Sequence, residues 1–184
     1  MPITPEQAFE AYRTAELLYS EQAVEAALDR MATQITERLA ETNPVLLCVL
    51  TGGIIPVGKL TTRLNFPLQL DYLHATRYRG ATSGGELHWI AHPSISLRDR
   101  VVLVVDDILD EGATLAAIVE HCHAEGASSV LSAVLVDKIH DRKYHSIKAD
   151  FTGLEVPDRY VFGCGMDYKS YLRNAPGIYA VHDA

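Results

Sequence analysis

Cysteine is scarce, with three residues in a chain of 184, at positions 48, 122 and 164. That number and scatter exclude a disulfide framework and a paired-cysteine metal knuckle, and a reducing compartment suits the chain best. No apolar run approaches the length of a membrane span, and the N-terminal stretch carries acids without the basic-then-apolar order of a secretory signal. A cytoplasmic protein with no membrane partner is expected. Basic residues are outnumbered, 16 against 24 acidic ones, for a net charge of −8. General attraction to a phosphate backbone is disfavoured, so no nucleic-acid partner is expected. Internal repeats and low-complexity tracts are also lacking, and 48% hydrophobic with 22% charged residues describes an ordered globular chain. One domain covering residues 1–184 is the expectation.

What is present is an alternation of patterns. Ser20 precedes apolar residues at three- and four-residue steps, Ala23, Val24, Ala27, Leu28, Met31, Ile35 and Leu39, which predicts a capped helix with one buried face. After Pro44 comes VLLCVL, a β-rich run buried on both sides, and similar runs follow at 101–105 and 130–136. Helical stretches near 54–65 and 113–125 lie between them. Such βαβ alternation predicts an α/β fold with a mainly parallel central sheet flanked by helices, whose ligands bind beyond the carboxyl ends of the strands. RYRGATSGGE at 77–86, between strand-like LQLDYLHA and LHWIAH, reads as a long mobile hairpin loop. A core of about 40–150 is expected, with a small lobe from the N-terminal segment and about 151–184.

The chemistry concentrates in VVLVVDDILDEGATL, residues 101–115, where five apolar residues run into four carboxylates within six positions. An Asp before a helix is often only an N-cap, but Asp106, Asp107, Asp110 and Glu111 together repel one another unless something offsets the charge. Cations or hydroxyl donors would offset it at the strand end. The backbone N–H groups from Asp110 to Thr114, with Gly112 permitting close approach, form an anion nest aided by the helix dipole. A ribose 5-phosphate meets both demands, with its hydroxyls on Asp106 and Asp107, its phosphate in the nest, and Thr114 as a hydroxyl donor.

DDILDEGATL after VVLVV resembles the phosphoribosyl-pyrophosphate signature of type I phosphoribosyltransferases. The resemblance covers nearly the whole chain and is nearest to bacterial hypoxanthine-guanine phosphoribosyltransferases, through LTGG at 50–53, RYRGATSGGEL, VDK at 136–138, DRYVFGCGMDY at 158–168 and LRN at 172–174. It implies the type I phosphoribosyltransferase fold with a small hood lobe. It implies transfer of the 5-phosphoribosyl group from phosphoribosyl pyrophosphate to N9 of hypoxanthine or guanine, giving IMP or GMP and pyrophosphate, with Mg²⁺ as cofactor.

By the same resemblance Asp106 and Asp107 hold the ribose hydroxyls, directly or through Mg²⁺, and Asp110 faces purine N7 as general base or proton carrier. Glu111, Gly112, Ala113 and Thr114 form the 5′-phosphate loop. Lys138 donates to the 6-oxo group and would meet a 6-amino group donor to donor, which favours hypoxanthine or guanine over adenine. Tyr160 stacks on the base, the Val161 backbone reads its edge, Asp167 lies near a second Mg²⁺, and Arg173 holds pyrophosphate. Thr51 and Gly52 belong to the pyrophosphate loop, with a cis peptide implied at Leu50-Thr51. Tyr78 would reach pyrophosphate from a lid whose pliable points are Gly80, Gly84 and Gly85. A homodimer or homotetramer is implied as well.

The chain departs from the family at Thr51, where many relatives carry lysine, and at Glu111 and Ala113. Alone, Lys138 could be a solvated lysine, Tyr160 a core aromatic, and Asp167 with Arg173 a surface pair. Gly53-x4-Gly58-Lys59 is a near-miss P-loop that would suggest a kinase or NTPase, although Leu60 stands where a Mg²⁺-binding hydroxyl belongs. A nucleotide-sensing regulator on the same fold is a further alternative. His121 and His123, two apart on a helix, diverge too far to share a metal. Solvated or hydrogen-bonded surface roles are expected for His74, His88, His92, His140, His145 and His182.

Overall fold

The computed structural model describes residues 3–77 and 87–182. Thr4 and Gln7 form a reciprocal capping box at the start of helix α1 (Pro5–Thr14), with proline in the first turn where its missing N–H costs nothing. Strand β1 (Glu16–Tyr19) follows, and then helix α2 (Glu21–Leu39), capped by the Ser20 hydroxyl accepting from Ala23 N at 3.3 Å. Of the stripe the periodicity predicts, Val24, Ala27, Leu28, Met31, Ile35 and Leu39 are buried, joined by Ala32, while Ala23 is half-buried.

The central strands are β2 (Val45–Val49), β5 (Val101–Leu109) and β6 (Ser129–Ile139), with helices α3 (Ile54–Thr61) and α4 (Ala113–Ala124) beside them. Successive side chains of a strand point to opposite faces. Leu46 and Cys48 therefore join a core with α2 and α3, while Val45, Leu47 and Val49 join a second core with Leu115, Ile118 and Cys122 of α4. Both faces are covered, which is why these strands are written as unbroken apolar runs.

Strands β3 (Gln69–Arg77), β4 (Leu87–Ala91) and β7 (Phe151–Pro157) complete a sheet of order β4-β3-β2-β5-β6-β7. Its pairings are parallel apart from the antiparallel β3–β4 hairpin. The chain winds one way from β2 to β3 and the other way from β5 to β7, so the switch point lies between β2 and β5. The register that pairs Cys48 with Val105 brings the loop after β2 beside the two aspartates that follow on β5. A separate three-stranded sheet joins β1 to β9 (Ile178–Ala180) and β8 (Val161–Phe162), so the small lobe is built from both chain ends. Strand β7 (Phe151–Pro157) pairs with β6 in the main sheet.

Candidate active site

Strand β5 continues past its apolar run to Leu109, carrying Asp106 and Asp107 on its carboxyl end. Asp106 accepts from Asp107 N at 2.8 Å, and Asp107 accepts from Ile108 N at 2.7 Å. Burial pushes both carboxyls above the usual carboxylate range, and for Asp106 the adjacent charge of Asp107 adds to the rise. The Asp107 carboxylate packs so closely on Gly52 that a Cβ there would overlap it, which explains glycine in the loop after β2. The Leu50-Thr51 peptide of this loop is cis and Thr51 is exposed.

Arg173 comes to the same place from the small lobe. Its guanidinium lies 3.8 Å from Asp107 Oδ2, pairs with Asp167 Oδ1 at 2.7 Å, and donates to Gly165 O at 2.6 Å. Asp167 and Arg173 are therefore no isolated surface pair. Their contact places a guanidinium at the rim of the two aspartates of β5.

Asp110, Glu111 and Gly112 form the turn into α4. Gly112 is the N-cap at φ +88°, a conformation costly for other residues, and a Cβ there would also overlap Ile147. The first intrahelical bond runs from Ala116 N to Gly112 O, so the N–H groups of Ala113, Thr114 and Leu115 have no partner inside the helix. That end of α4 is electropositive. Glu111 is exposed.

Lys138, near the end of β6, pairs with Asp110 Oδ2 at 2.6 Å; its side chain is only 12% exposed, which excludes a solvated role. The other carboxylate oxygen of Asp110 lies 2.8 Å from Nε2 of His140, whose side chain is 3% exposed. The expected surface role for His140 is therefore incorrect: the chain leaving β6 folds back over the acidic turn and buries the imidazole. Burial raises the Asp110 pKa, but hydrogen bonds from Lys138 and then His140 outweigh it and hold the group below its ordinary value. Lys143, also unforeseen, donates to Leu109 O and Asp110 O at 2.7 Å each and to Asp137 at 2.6 Å. No spacing rule signals either residue, because their contacts to Leu109 and Asp110 close over some thirty positions of chain.

Tyr160 precedes β8, is 42% exposed, and stands edge-on to Tyr168 at 5.5 Å between ring centroids. It is not a core aromatic. Val161 is buried and pairs with Ala180. Tyr78 and the glycines at 80, 84 and 85 lie outside the described residues.

The near-miss P-loop does not form a phosphate cradle. Residues from Ile54 are already helical, Gly58 lies inside α3, Lys59 is ion-paired with Glu25 of α2, and Leu60 is fully buried. His92 and His121 pack against Trp89, at 4.6 and 4.3 Å between ring centroids.

Comparison with known proteins agrees with this geometry. The model of the phosphoribosyl transferase domain matches residues 14–170. A hypoxanthine-guanine phosphoribosyltransferase from Bacillus subtilis is 34% identical over 164 residues, which is 89% of this chain and 91% of that protein. A hypoxanthine-guanine-xanthine phosphoribosyltransferase from Tritrichomonas foetus is 32% identical over 162 residues, 88% of each chain. The crystal structure of a hypoxanthine phosphoribosyltransferase from Staphylococcus aureus superposes with a TM-score of 0.88 at 29% identity, covering 93% of this chain and 94% of that one. With its acidic strand end, its helix N-terminus and its lysine beside Asp110, this chain belongs to the phosphoribosyl transferase family.

Proposed function

We propose that the protein transfers 5-phosphoribosyl from phosphoribosyl pyrophosphate to N9 of hypoxanthine or guanine, releasing pyrophosphate. One observation carries the base assignment, namely a carboxylate and an ammonium held side by side, Asp110 and Lys138, 2.6 Å apart. A 6-oxopurine protonated at N7 shows the complementary pair on one edge, an N–H beside a carbonyl. Adenine would turn an amino group toward the ammonium, leaving two donors opposed.

In this reading Lys138 donates to the 6-oxo oxygen and Asp110 accepts the N7 proton as N9 bonds to C1 of the ribose and the bond to pyrophosphate breaks. Tyr160 covers the face of the base and the Val161 backbone meets its edge. Asp106 and Asp107 receive the ribose hydroxyls, while Gly112, Ala113 and Thr114 hold the 5′-phosphate at the start of α4, with Glu111 outside it. Thr51, Gly52 and Arg173 face the departing pyrophosphate, where Arg173 offsets the developing negative charge.

Mg²⁺ fits this donor set. Among the described residues no group of three or more His, Cys, Asp or Glu could hold a metal alone, and Mg²⁺ is commonly bound by one or two carboxylates together with substrate phosphates. Asp106 and Asp107 would hold one ion and Asp167 would lie near a second; bound Mg²⁺ supplies charge neutralisation for pyrophosphate departure. No described helix is long and apolar enough to cross a membrane. The cysteine thiols are free and buried, each pushed up to about 11 by burial, which suits a reducing cytoplasm. Leu70, Tyr72 and Ile90 on the outer hairpin are each at least half exposed, an apolar face suited to a second copy; a monomeric mass by light scattering would remove the homo-oligomer from the proposal.

The test is pyrophosphate release with phosphoribosyl pyrophosphate and Mg²⁺, supplying hypoxanthine, guanine, xanthine and adenine separately. Release with 6-oxopurines and none with adenine is expected. Absence of release with every base would favour a nucleotide-sensing regulator.

A further inference from the structure

Asp110 has two carboxylate oxygens and two different neighbours. Oδ2 faces Lys138, and Oδ1 faces Nε2 of the buried His140 at 2.8 Å. The imidazole is itself oriented, because its Nδ1 accepts from Arg142 N at 3.1 Å. An accepting Nδ1 carries no proton, so the neutral ring presents an Nε2–H to Asp110. Arg142 is in turn held by both oxygens of Asp158, at 2.7 and 3.0 Å. Lys143 Nζ and Tyr144 N bond the carbonyls of Leu109, Asp110 and Glu111, at 2.7 Å in each case. The stretch from 140 to 144 thus fixes both the backbone and the carboxylate of Asp110.

We propose that His140 is a positioning residue for proton transfer, holding Oδ1 of Asp110 so that Oδ2 faces purine N7 once Lys138 has moved to the 6-oxo group. The inference rests on the proposed base reading and adds a residue to it. Base binding exchanges the Asp110–Lys138 contact for two contacts to the purine, and the carboxylate at that moment loses its tighter partner. It is 45% exposed and stands on a turn, so without His140 it could rotate away from N7. A misplacement of about 1 Å at a reacting group can cost on the order of 100-fold in rate. A neutral donor also suits the role better than a second cation. It orients the carboxylate without the full charge that would weaken it as a proton acceptor.

The experiment compares His140→Leu, which fills similar space without a donor, with His140→Gln, which retains one donor and one acceptor. In His140→Leu, kcat with hypoxanthine should fall about 10- to 100-fold while the KM for phosphoribosyl pyrophosphate stays within about twofold. His140→Gln should recover most of the loss. The acid limb of kcat/KM for the base should move to higher pH in the leucine variant and stay near the parent in the glutamine variant, since a donor to the ionised carboxylate favours that form. The other charged groups around Asp110 are Lys138 and Asp137 on β6, Arg142 and Lys143 beyond it, Asp158 beyond β7, and Glu111 in the turn. They are common to every variant, so the comparison isolates the imidazole.

Parent-like kcat and pH limb in His140→Leu would overturn the role while leaving the base assignment standing. Equal losses in both variants, matched by equal losses in thermal stability, would show a packing role instead and overturn it too. Imidazole ¹⁵N shifts in the substrate-free protein should report the Nε2–H tautomer near pH 7, and a cationic or Nδ1–H ring would refute the geometry without reference to turnover. Failure of the parent to release pyrophosphate with any base would overturn both the base reading and the role built on it.

Discussion

Asp71 on β3 and Asp107 on β5 are buried to nearly the same degree, 9% and 8% exposed, in one sheet. Asp71 accepts four hydrogen bonds: from Tyr72 N at 2.8 Å, from Ser94 N at 2.6 Å and Ser94 Oγ at 3.0 Å, and from Ile95 N at 2.8 Å. Burial alone would raise its pKa, but these donors, Ile95 N–H foremost, hold it below the ordinary value. Asp107 is hydrogen-bonded by Ile108 N, faces Arg173 only at 3.8 Å, and has its pKa raised by burial. The first carboxylate is satisfied by the fold and serves the fold. The second leaves a charge for which the fold supplies too little, and that deficit suits a ligand bearing hydroxyls or a cation.

Asp110 lies between these extremes, with two internal donors on a carboxylate that is also accessible, and it tests the comparison most severely. Asp110→Asn should lower turnover by about 100- to 10,000-fold, with binding of phosphoribosyl pyrophosphate altered only slightly. Steady-state rates beside a direct binding titration would decide it, and unchanged turnover would remove Asp110 from proton transfer.

The two buried aspartates should then respond in opposite senses. Asp71→Asn should destabilise by about 3 kcal/mol, because donors aimed at a carboxylate lose it, with activity per folded molecule retained. Asp107→Asn should leave stability within about 1 kcal/mol of the parent, or above it, while substrate binding falls. Thermal unfolding and binding of both variants check the pair, and a loss of stability in Asp107→Asn matching that of Asp71→Asn would break the comparison. The pH dependence follows in sign. Because the folded-state pKa of Asp71 is depressed, its stabilisation is present above the unfolded value of about 3.9 and is lost as pH falls through the folded value. Denaturant midpoints below about pH 5 should accordingly fall less steeply in Asp71→Asn than in the parent.

A smaller effect is expected where a partner is exchanged rather than lost. Lys138→Gln should narrow the preference for hypoxanthine over adenine by about 10- to 100-fold, since an amide can donate or accept. Identical base preference in variant and parent would show that another group reads the 6-position. The smallest effect belongs to Lys59, whose pairing with Glu25 lies on a partly exposed helix surface. Lys59→Met should cost about 1 kcal/mol or less and leave turnover unchanged. A collapse of activity would bring the P-loop reading back.

Legibility in the sequence followed the distance over which each feature is determined. The apolar runs at 45–49, 101–105 and 130–136 declare strands because both of their faces are covered, so their composition reports the sheet directly. The acidic turn is equally local, since its carboxylates, glycine and helix start occupy neighbouring positions. Helix α1 is less legible because only Ala8 of it is buried, although its capping box is written in Thr4 and Gln7. The difference between Asp71 and Asp107 is invisible in sequence: Ser94 and Ile95 lie more than twenty residues from the carboxylate they satisfy. His140 reaches Asp110 across thirty positions and differs in no local way from the surface histidines.

The packing of Gly52, Asp107 and Gly165 has a kinetic consequence. A Cβ on Gly165 would overlap Gly52 O and come within 3.2 Å of Asp107 Cβ, so the loop after β2, the end of β5 and the small lobe meet almost backbone to backbone. Three stretches distant in the chain must arrive before this arrangement exists, and contacts of such long sequence separation are slow to form. A partly folded intermediate with a complete sheet but an undocked lobe would show native-like strand signals and no turnover. Recovery of activity on refolding should therefore trail the recovery of secondary structure, making catalysis a more demanding reporter of the finished fold than any spectroscopic one.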